Sequence, residues 1–221
     1  MLASLRQARP GWTLVLVAPR DGRMVHEAQR LGVETVVLPF PPALARFGEY
    51  GSGAKGVLGA VRLARAAMTI PGYVRRLRAT LREPRTDVVH ANGIKVHLLA
   101  AAAKPRGAAL VWHMHDYLQT RPLSARLLGR LVCRCDAILA NSESVSRDVR
   151  GVFGDRPVTT LHNGVDLDRF RPEGPIVDLD ELAGLSPAPV GVVRVGLVAT
   201  MARWKGHNLF LDALAALPPT T

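Results

Sequence analysis

Apolar residues recur along the 221-residue chain in short continuous runs that alternate with segments of helical periodicity. The runs are rich in Val, Ile, Leu and Thr without strict alternation, which is typical of strands covered on both faces of a sheet. They occupy residues 13–18, 33–38, 86–92, 108–116, 135–142, 157–164 and 192–200. Helical spacing covers residues 1–8, 23–31, 57–82 with a break at Pro71, 95–103, 123–133, 143–152 and 207–217. This order predicts an α/β fold with a doubly wound parallel sheet, whose ligands bind beyond the carboxyl ends of the strands.

A segment rich in Pro, Gly and acidic residues interrupts the pattern at residues 171–189. We expect it to be a linker between two domains. Residues 1–170 then form one α/β domain, and residues 190–221 supply the first strand and helix of a second. Residues 1–8 look like the tail of an amphipathic helix, which in a doubly wound domain follows a strand and a loop. We therefore expect the first domain to lack its first strand and the sequence to hold only part of both domains.

The net positive charge of the chain favours anionic binding partners. The formal net charge is +11, mostly from Arg, and it favours nucleotide phosphates, an acidic membrane surface or nucleic acid. The helical segment 57–82 combines Arg with apolar residues, as in helices that lie on anionic lipid, although a solvated helix face fits the same pattern. Aromatic residues that could stack on bases are scarce there, so we expect no nucleic acid.

Neither a membrane-spanning nor a secretory segment is predicted. No stretch of about 18 uncharged apolar residues occurs, and the apolar run near the amino terminus is short and β-rich, without a cleavage-type site after it. We expect a cytoplasmic protein, peripheral at the inner membrane face if the basic helix binds lipid. Cys133 and Cys135 are too few and too close for a disulfide framework or a four-ligand zinc site. Ordinary thiols are expected, with a redox or metal role as the alternative.

Two short motifs suggest ligand contacts in the first domain. The sequence GSGAKG at residues 51–56 matches G-x-G-x-x-G, but it follows no strand and no acid stands about 20 residues later. We interpret it as a glycine-rich loop at the mouth of the site. HMHD ends a buried-type strand, and alternation puts His113 and His115 on one face. A metal would need a third ligand, so either hydrogen bonding to a substrate hydroxyl, by His115 especially, or a structural role fits.

A third motif lies near the carboxyl terminus. Lys205 and Gly206 stand between a predicted strand and a predicted helix, where backbone N–H groups and a cation form a phosphate site. Arg203 adds a second cation. A basic surface loop is the alternative.

Taken in order, DVVHANG, VWHMHDY, CDAILANSES, VTTLHNGVDLDRF and VGLVATMARWKGHNLFLDALAAL resemble the GT-B glycosyltransferases of family 4. The matches extend from about residue 10 to residue 217. These retaining enzymes use nucleotide sugars and pair two Rossmann-like domains across a cleft, with the acceptor mainly on the first and the donor mainly on the second. The resemblance implies that residues 190–221 open the donor domain.

The resemblance also implies roles for individual residues. His115 matches the cleft histidine that contacts the transferred sugar, and it is our catalytic candidate. The residues assigned to the cleft and the acceptor are Asn92, Gly93, His113, Asp116, Asn163, Gly164 and Asp166. Those assigned to the donor phosphates are Thr200, Arg203, Lys205 and Gly206. No metal and no cofactor is expected beyond the nucleotide sugar itself. The family commonly has Gly-Arg where this chain has Ala199 and Thr200.

We therefore expect a retaining glycosyltransferase that moves a sugar from a nucleotide sugar to a glycan or lipid-linked acceptor. The paired glutamates of the family's distal donor domain have no counterpart in this sequence, so little or no activity is expected from this chain alone. Two alternatives are a nucleotide-sugar epimerase of the same fold and a non-enzymatic basic module that binds membrane or nucleic acid.

Overall fold

The computed structural model describes residues 1–45, 57–83, 85–202 and 205–218. The chain forms two compact units, Met1–Gly164 and Val165–Thr221. In the described residues no helix is long and apolar enough to cross a membrane. The predicted glycine-rich loop at residues 51–56 lies outside the described part.

The first unit is an α/β structure in which all strand pairs are parallel, as predicted. Its strands are β1 (Val15–Ala18), β2 (Glu34–Val37), β3 (Val88–Asn92), β4 (Ala109–Met114), β5 (Ala137–Ala140) and β6 (Val158–Thr160). Its helices are α1 (Leu2–Ala8), α2 (Arg23–Arg30), α3 (Pro42–Ala45), α4 (Val57–Arg82), α5 (Ile94–Ala103), α6 (Pro122–Leu131) and α7 (Glu143–Phe153), with a 3₁₀ turn at Val132–Arg134. The short helix α3 was not predicted.

The hydrogen-bonded strands fall into two sets instead of one continuous sheet. One set pairs β1 with β2, and the other has the order β3-β4-β5-β6. Among the described residues no strand pairs with both β1 and β3, so the ladder is interrupted there. Packing joins the two sets, because Tyr73 and Leu77 of α4, Leu99 of α5 and Leu38 beyond β2 share one buried cluster.

The main core lies between the four-stranded set and the helices α5, α6 and α7. Leu110 and Trp112 of β4 are fully buried, together with Leu128 of α6 and Val149 of α7. Burying a large apolar side chain contributes about 1.5–3 kcal/mol, so this layer stabilises the strands whose carboxyl ends carry the candidate site. Helix α7 begins as predicted at an N-cap, since the Ser142 hydroxyl accepts a hydrogen bond from the backbone N–H of Val145 at 3.2 Å.

The predicted break at Pro71 is wrong, because α4 continues through this residue. Proline removes one helical hydrogen bond and strains the preceding turn. Buried side chains lie on both sides of it, with Ala66 before and Tyr73, Val74 and Leu77 after. Their burial on one face of a single helix outweighs the local cost.

The second unit contains two helices in its described part, α8 (Leu179–Ala183) and α9 (His207–Ala215). The predicted helix at 207–217 is therefore present, but the predicted strand at 192–200 is not formed. Its valines are exposed, with Val193 at 84% and Val198 at 102% of full accessibility. A strand needs a neighbouring backbone for its hydrogen bonds, and the described residues offer none here. The predicted division into an acceptor-side domain at residues 1–170, a linker at 171–189 and the start of a donor-side domain at 190–221 stays a proposal.

Candidate active site

The carboxyl ends of β3 and β4 bring two candidate residues side by side. Asn92 pairs with His113 in the parallel register, so both side chains lie on the same face of the sheet. Gly93 follows directly, with a φ of 95°, and is the N-cap residue of α5. This backbone angle favours glycine. The turn therefore takes the chain from β3 into α5 next to the His113 side chain.

Three imidazole rings form a row on this face. The ring centroid of His113 lies 5.3 Å from that of His90, with the planes 19° apart, and 4.3 Å from that of His115. His113 is only 7% exposed. Within the described residues, neither ring nitrogen of His113 nor Nε2 of His115 has a hydrogen-bond partner. Three imidazole nitrogens of the row are thus buried without a partner in the described part of the chain.

The row favours neutral imidazoles. Burial lowers the pKa of His113, and the charges of His115 and then His90 lower it further. Burial also lowers the pKa of His90, with His115 as the second cause. A neutral imidazole has one N–H donor and one acceptor nitrogen. Each of these two rings thus carries one donor and one acceptor nitrogen at neutral pH.

His97, a residue that we did not single out from the sequence, is hydrogen-bonded to the backbone of the two strands that carry the row. It is 1% exposed, and its Nε2 lies 3.2 Å from the carbonyl oxygens of both Ala91 and His113. Carbonyl oxygens only accept, so Nε2 carries the proton and donates to both strands. Burial lowers the pKa of His97 to about 4. Its one sequence signal is a histidine within the otherwise apolar helix at residues 96–103.

The loop after β4 is fixed by groups from α7. The buried carboxylate of Asp148 accepts hydrogen bonds from the backbone N–H groups of Leu118 at 2.6 Å and Gln119 at 3.4 Å. The Tyr117 hydroxyl donates to the Ser144 hydroxyl at 3.0 Å. These contacts hold the segment that follows His115. We did not identify Asp148 from the sequence, because nothing near it in the chain indicates its partner.

Asp116, Asn163 and Gly164 complete the candidate residues at this edge. Asp116 follows β4 and forms an ion pair with Arg121, with Oδ1 and Nη2 3.5 Å apart. Asn163 and Gly164 lie just beyond β6 and are exposed. The carboxyl edge of the four-stranded set thus carries the predicted site residues His113, His115, Asn92, Gly93, Asp116, Asn163 and Gly164.

A family model described as Glycosyltransferase Family 4 matches residues 4–169, which contain this whole set. The chain belongs to glycosyltransferase family 4. The D-inositol 3-phosphate glycosyltransferase 2 of Catenulispora acidiphila is 28% identical in an alignment of 166 positions that covers 68% of this chain and 35% of that protein. The lipopolysaccharide core biosynthesis mannosyltransferase LpsB of Rhizobium meliloti is 32% identical over 89 residues, which are 40% of this chain and 23% of that protein.

The fold agrees with the family. A crystal structure of Anabaena HepE in complex with UDP and glucose has a TM-score of 0.64 to this chain at 20% identity. The match covers 99% of this chain and 53% of that one. At this identity the likeness shows the fold, which is the α/β GT-B type that the sequence predicts. The family 4 chain thus spans about half the length of HepE and a smaller share of the two curated relatives.

The donor-phosphate candidates of the family 4 chain belong to the second unit. Lys205 and Gly206 precede α9, and Gly206, with a φ of 76°, is its N-cap residue. Thr200 is exposed, and Arg203 lies outside the described residues. Asp166, assigned to the cleft, also belongs to this unit, where its Oδ1 accepts hydrogen bonds from the backbone N–H groups of Asp168 and Arg169, both at 3.1 Å. The phosphate role of these residues stays a prediction.

In the part of the chain that the structure describes, no three His, Cys, Asp or Glu side chains are grouped as ligands of a metal ion. Cys133 is exposed, Cys135 is buried, and both are free. Burial raises the pKa of the Cys135 thiol, which keeps it in the less reactive protonated form.

Proposed function

We propose that this family 4 chain contains the acceptor-side domain and the start of the donor-side domain of a retaining glycosyltransferase, which moves a sugar from a nucleotide sugar to a glycan or lipid-linked acceptor. The observation that carries the proposal is the row of His90, His113 and His115 next to Asn92 at the carboxyl edge of a family 4 fold. Binding of UDP and glucose by HepE and the glycosyltransferase and mannosyltransferase activities of the two relatives support a nucleotide-sugar donor.

The proposed roles follow from the chemistry of the side chains. His115 contacts a hydroxyl of the transferred sugar, and the neutral His113 and Asn92 orient the acceptor by hydrogen bonds. Lys205 and the N–H groups at the start of α9 stabilise the departing nucleoside diphosphate as negative charge develops on it. Stabilising that charge lowers the barrier to displacement at the anomeric carbon.

We further propose that α4 contacts an anionic membrane from which a lipid-linked acceptor is taken. Its buried residues lie on one face, while Arg65, Arg75 and Arg76 are exposed and Met68 is 82% exposed. Exposed cations beside an apolar side chain are typical of helices that lie in a lipid interface. A non-enzymatic basic module would present the same helix.

The experiment measures saccharide binding to the 221-residue chain by saturation-transfer NMR. Glycans, and lipid-linked saccharides in anionic vesicles, are offered to the chain, and the same vesicles without saccharide measure membrane contact. We expect His115→Ala to weaken saccharide binding about tenfold, as for loss of one good hydrogen bond to a buried site. His26→Ala is the matched control, since His26 is an exposed histidine on α2.

Three outcomes would contradict the proposal. Equal loss in His115→Ala and His26→Ala would place saccharide binding away from the row. In a separate incubation of the chain with a nucleotide sugar and no acceptor, conversion of the sugar would identify an epimerase. Binding of vesicles with no saccharide binding at all would support the basic module instead. We expect little sugar transfer by this chain, because the second unit has no buried side chain in its described part to hold the donor motif in place.

A further inference from the structure

A basic groove lies at the amino edge of the four-stranded set. The histidine row lies at the other edge, where the strands end. The loops that enter β3, β4 and β5 line it. It consists of two adjoining concavities of about 510 Å³ and 260 Å³, which share Pro105, Arg106 and Gly107. We call it the amino-edge groove. No residue assigned to the carboxyl-edge site lines it.

Cations outnumber acids in the amino-edge groove. The cationic lining residues are Arg82, Arg85, Lys104, Arg106 and Arg134, and the acidic ones are Asp87 and Asp136. The four arginines are exposed, and in the part of the chain that the structure describes none of them forms an ion pair. Clustered cations on a concave surface raise the local concentration of anions.

One of the two acids is already neutralised within the protein. The carboxylate of Asp136 forms an ion pair with Lys104 and accepts a hydrogen bond from the backbone N–H of Leu110 at 2.7 Å. The Lys104 hydrogen bond is the main cause of a lowered pKa of Asp136, and the Leu110 bond is the second. Asp136 is therefore an anchor for the loop before β4. It leaves the guanidinium groups of Arg106 and Arg134 for an external anion.

We propose that the amino-edge groove binds a soluble, multiply charged phosphate ligand, with pyrophosphate as its simplest form. Guanidinium groups bind phosphate oxygens through paired N–H donors, and two or more arginines match the several oxygens of linked phosphates. The larger concavity lies within the usual range for small-ligand sites of about 300–1,000 Å³. Among the described residues no aromatic side chain lines either concavity, so stacked bases are not the expected ligand.

The test titrates ¹⁵N-labelled 221-residue chain with sodium pyrophosphate at constant ionic strength and follows backbone amide shifts. We expect saturable shifts at Gly107 and Ala108 and none at Gly93, which lies at the carboxyl edge. The double variant Arg106→Gln/Arg134→Gln should weaken binding about tenfold or more, because charge-assisted hydrogen bonds are lost. The matched control is Arg126→Gln/Arg147→Gln, which removes two exposed arginines of α6 and α7.

The outcomes separate a specific site from the general effect of a basic chain. Equal weakening in both double variants, or shifts spread over the surface, would refute the proposal and attribute binding to the net charge of +11. Binding to phosphatidylglycerol vesicles that depends on Arg106 and Arg134, without pyrophosphate shifts, would also refute it and replace the soluble ligand with a lipid. An unchanged shift of the Leu118 amide, which is hydrogen-bonded to Asp148 outside the groove, shows that each variant is folded. If Arg106→Gln/Arg134→Gln does not fold, the double variant Arg82→Gln/Arg85→Gln tests the other half of the groove.

Discussion

The buried imidazole of His97 makes the stability of the first unit depend on pH in a way that can be measured. In the folded chain its pKa is about 4, against 6.5 for an unperturbed histidine. The unfolded chain therefore takes up the proton first as the pH falls, and protonation favours unfolding. Stability from the neutral ring is fully present above about pH 6.5 and is lost between pH 6.5 and about pH 4. At about 1.4 kcal/mol for each pKa unit, the loss is roughly 3 kcal/mol.

The assay compares urea unfolding of the unchanged chain with that of His97→Gln and His97→Leu, from about pH 7.5 down to about pH 4. Both variants should lose roughly 3 kcal/mol less than the unchanged chain over this range, because they no longer carry the titrating ring. At about pH 7.5, His97→Leu should cost about 1–3 kcal/mol, since the carbonyls of Ala91 and His113 lose their buried donor. His97→Gln keeps an N–H group and should cost less.

His26→Gln is the control, because it replaces an exposed histidine of α2 and keeps His97 in place. Parallel stability curves for the unchanged chain and the two His97 variants would refute the reasoning. They would mean that His97 takes up its proton as readily in the folded chain as in the unfolded one. Its ring would then not be held in a dry core between the two strands.

Two further substitutions test the supports of the candidate site. Asp148→Ala should destabilise the chain by about 1–3 kcal/mol and speed hydrogen exchange at the Leu118 amide. Asp148→Asn keeps one acceptor oxygen, so both effects should be smaller. Unchanged exchange at Leu118 would contradict the role of Asp148. Gly93→Ala should cost about 1–3 kcal/mol in thermal unfolding through backbone strain alone, since no atom lies within 4 Å of the added carbon. Gly129→Ala within α6 should instead stabilise by about 0.5–1 kcal/mol, and equal effects of the two would disprove the strain.

Some of the molecule follows from the sequence because its causes are local. Ser142 precedes a helix that its own hydroxyl caps, and Gly32, with a φ of 68°, follows the end of α2. Continuous apolar runs predicted β3 to β6, because strands that are buried on both faces select such residues wherever they pair. The order of strands and helices then places His113, His115 and Asn92 at one edge of a parallel sheet.

Contacts between distant residues decided the remainder. His97 donates to carbonyls 6 and 16 positions away, and Asp148 accepts from a backbone N–H 30 positions away. Helix α4 passes through Pro71 because burial of Tyr73 and Leu77 against α5 and the loop after β2 outweighs a local cost.

The apolar run at 192–200 has the sequence pattern of a strand but forms none, because it lacks a distant partner among the described residues. Its residues prefer a strand, but strand hydrogen bonds need a second backbone, and none is paired with it among the described residues. Side-chain pattern therefore determined which segments of this chain can become strands and helices. Only the tertiary structure decided which of them do and which polar groups they bring into contact, because hydrogen bonds and burial depend on neighbours that lie far apart in sequence.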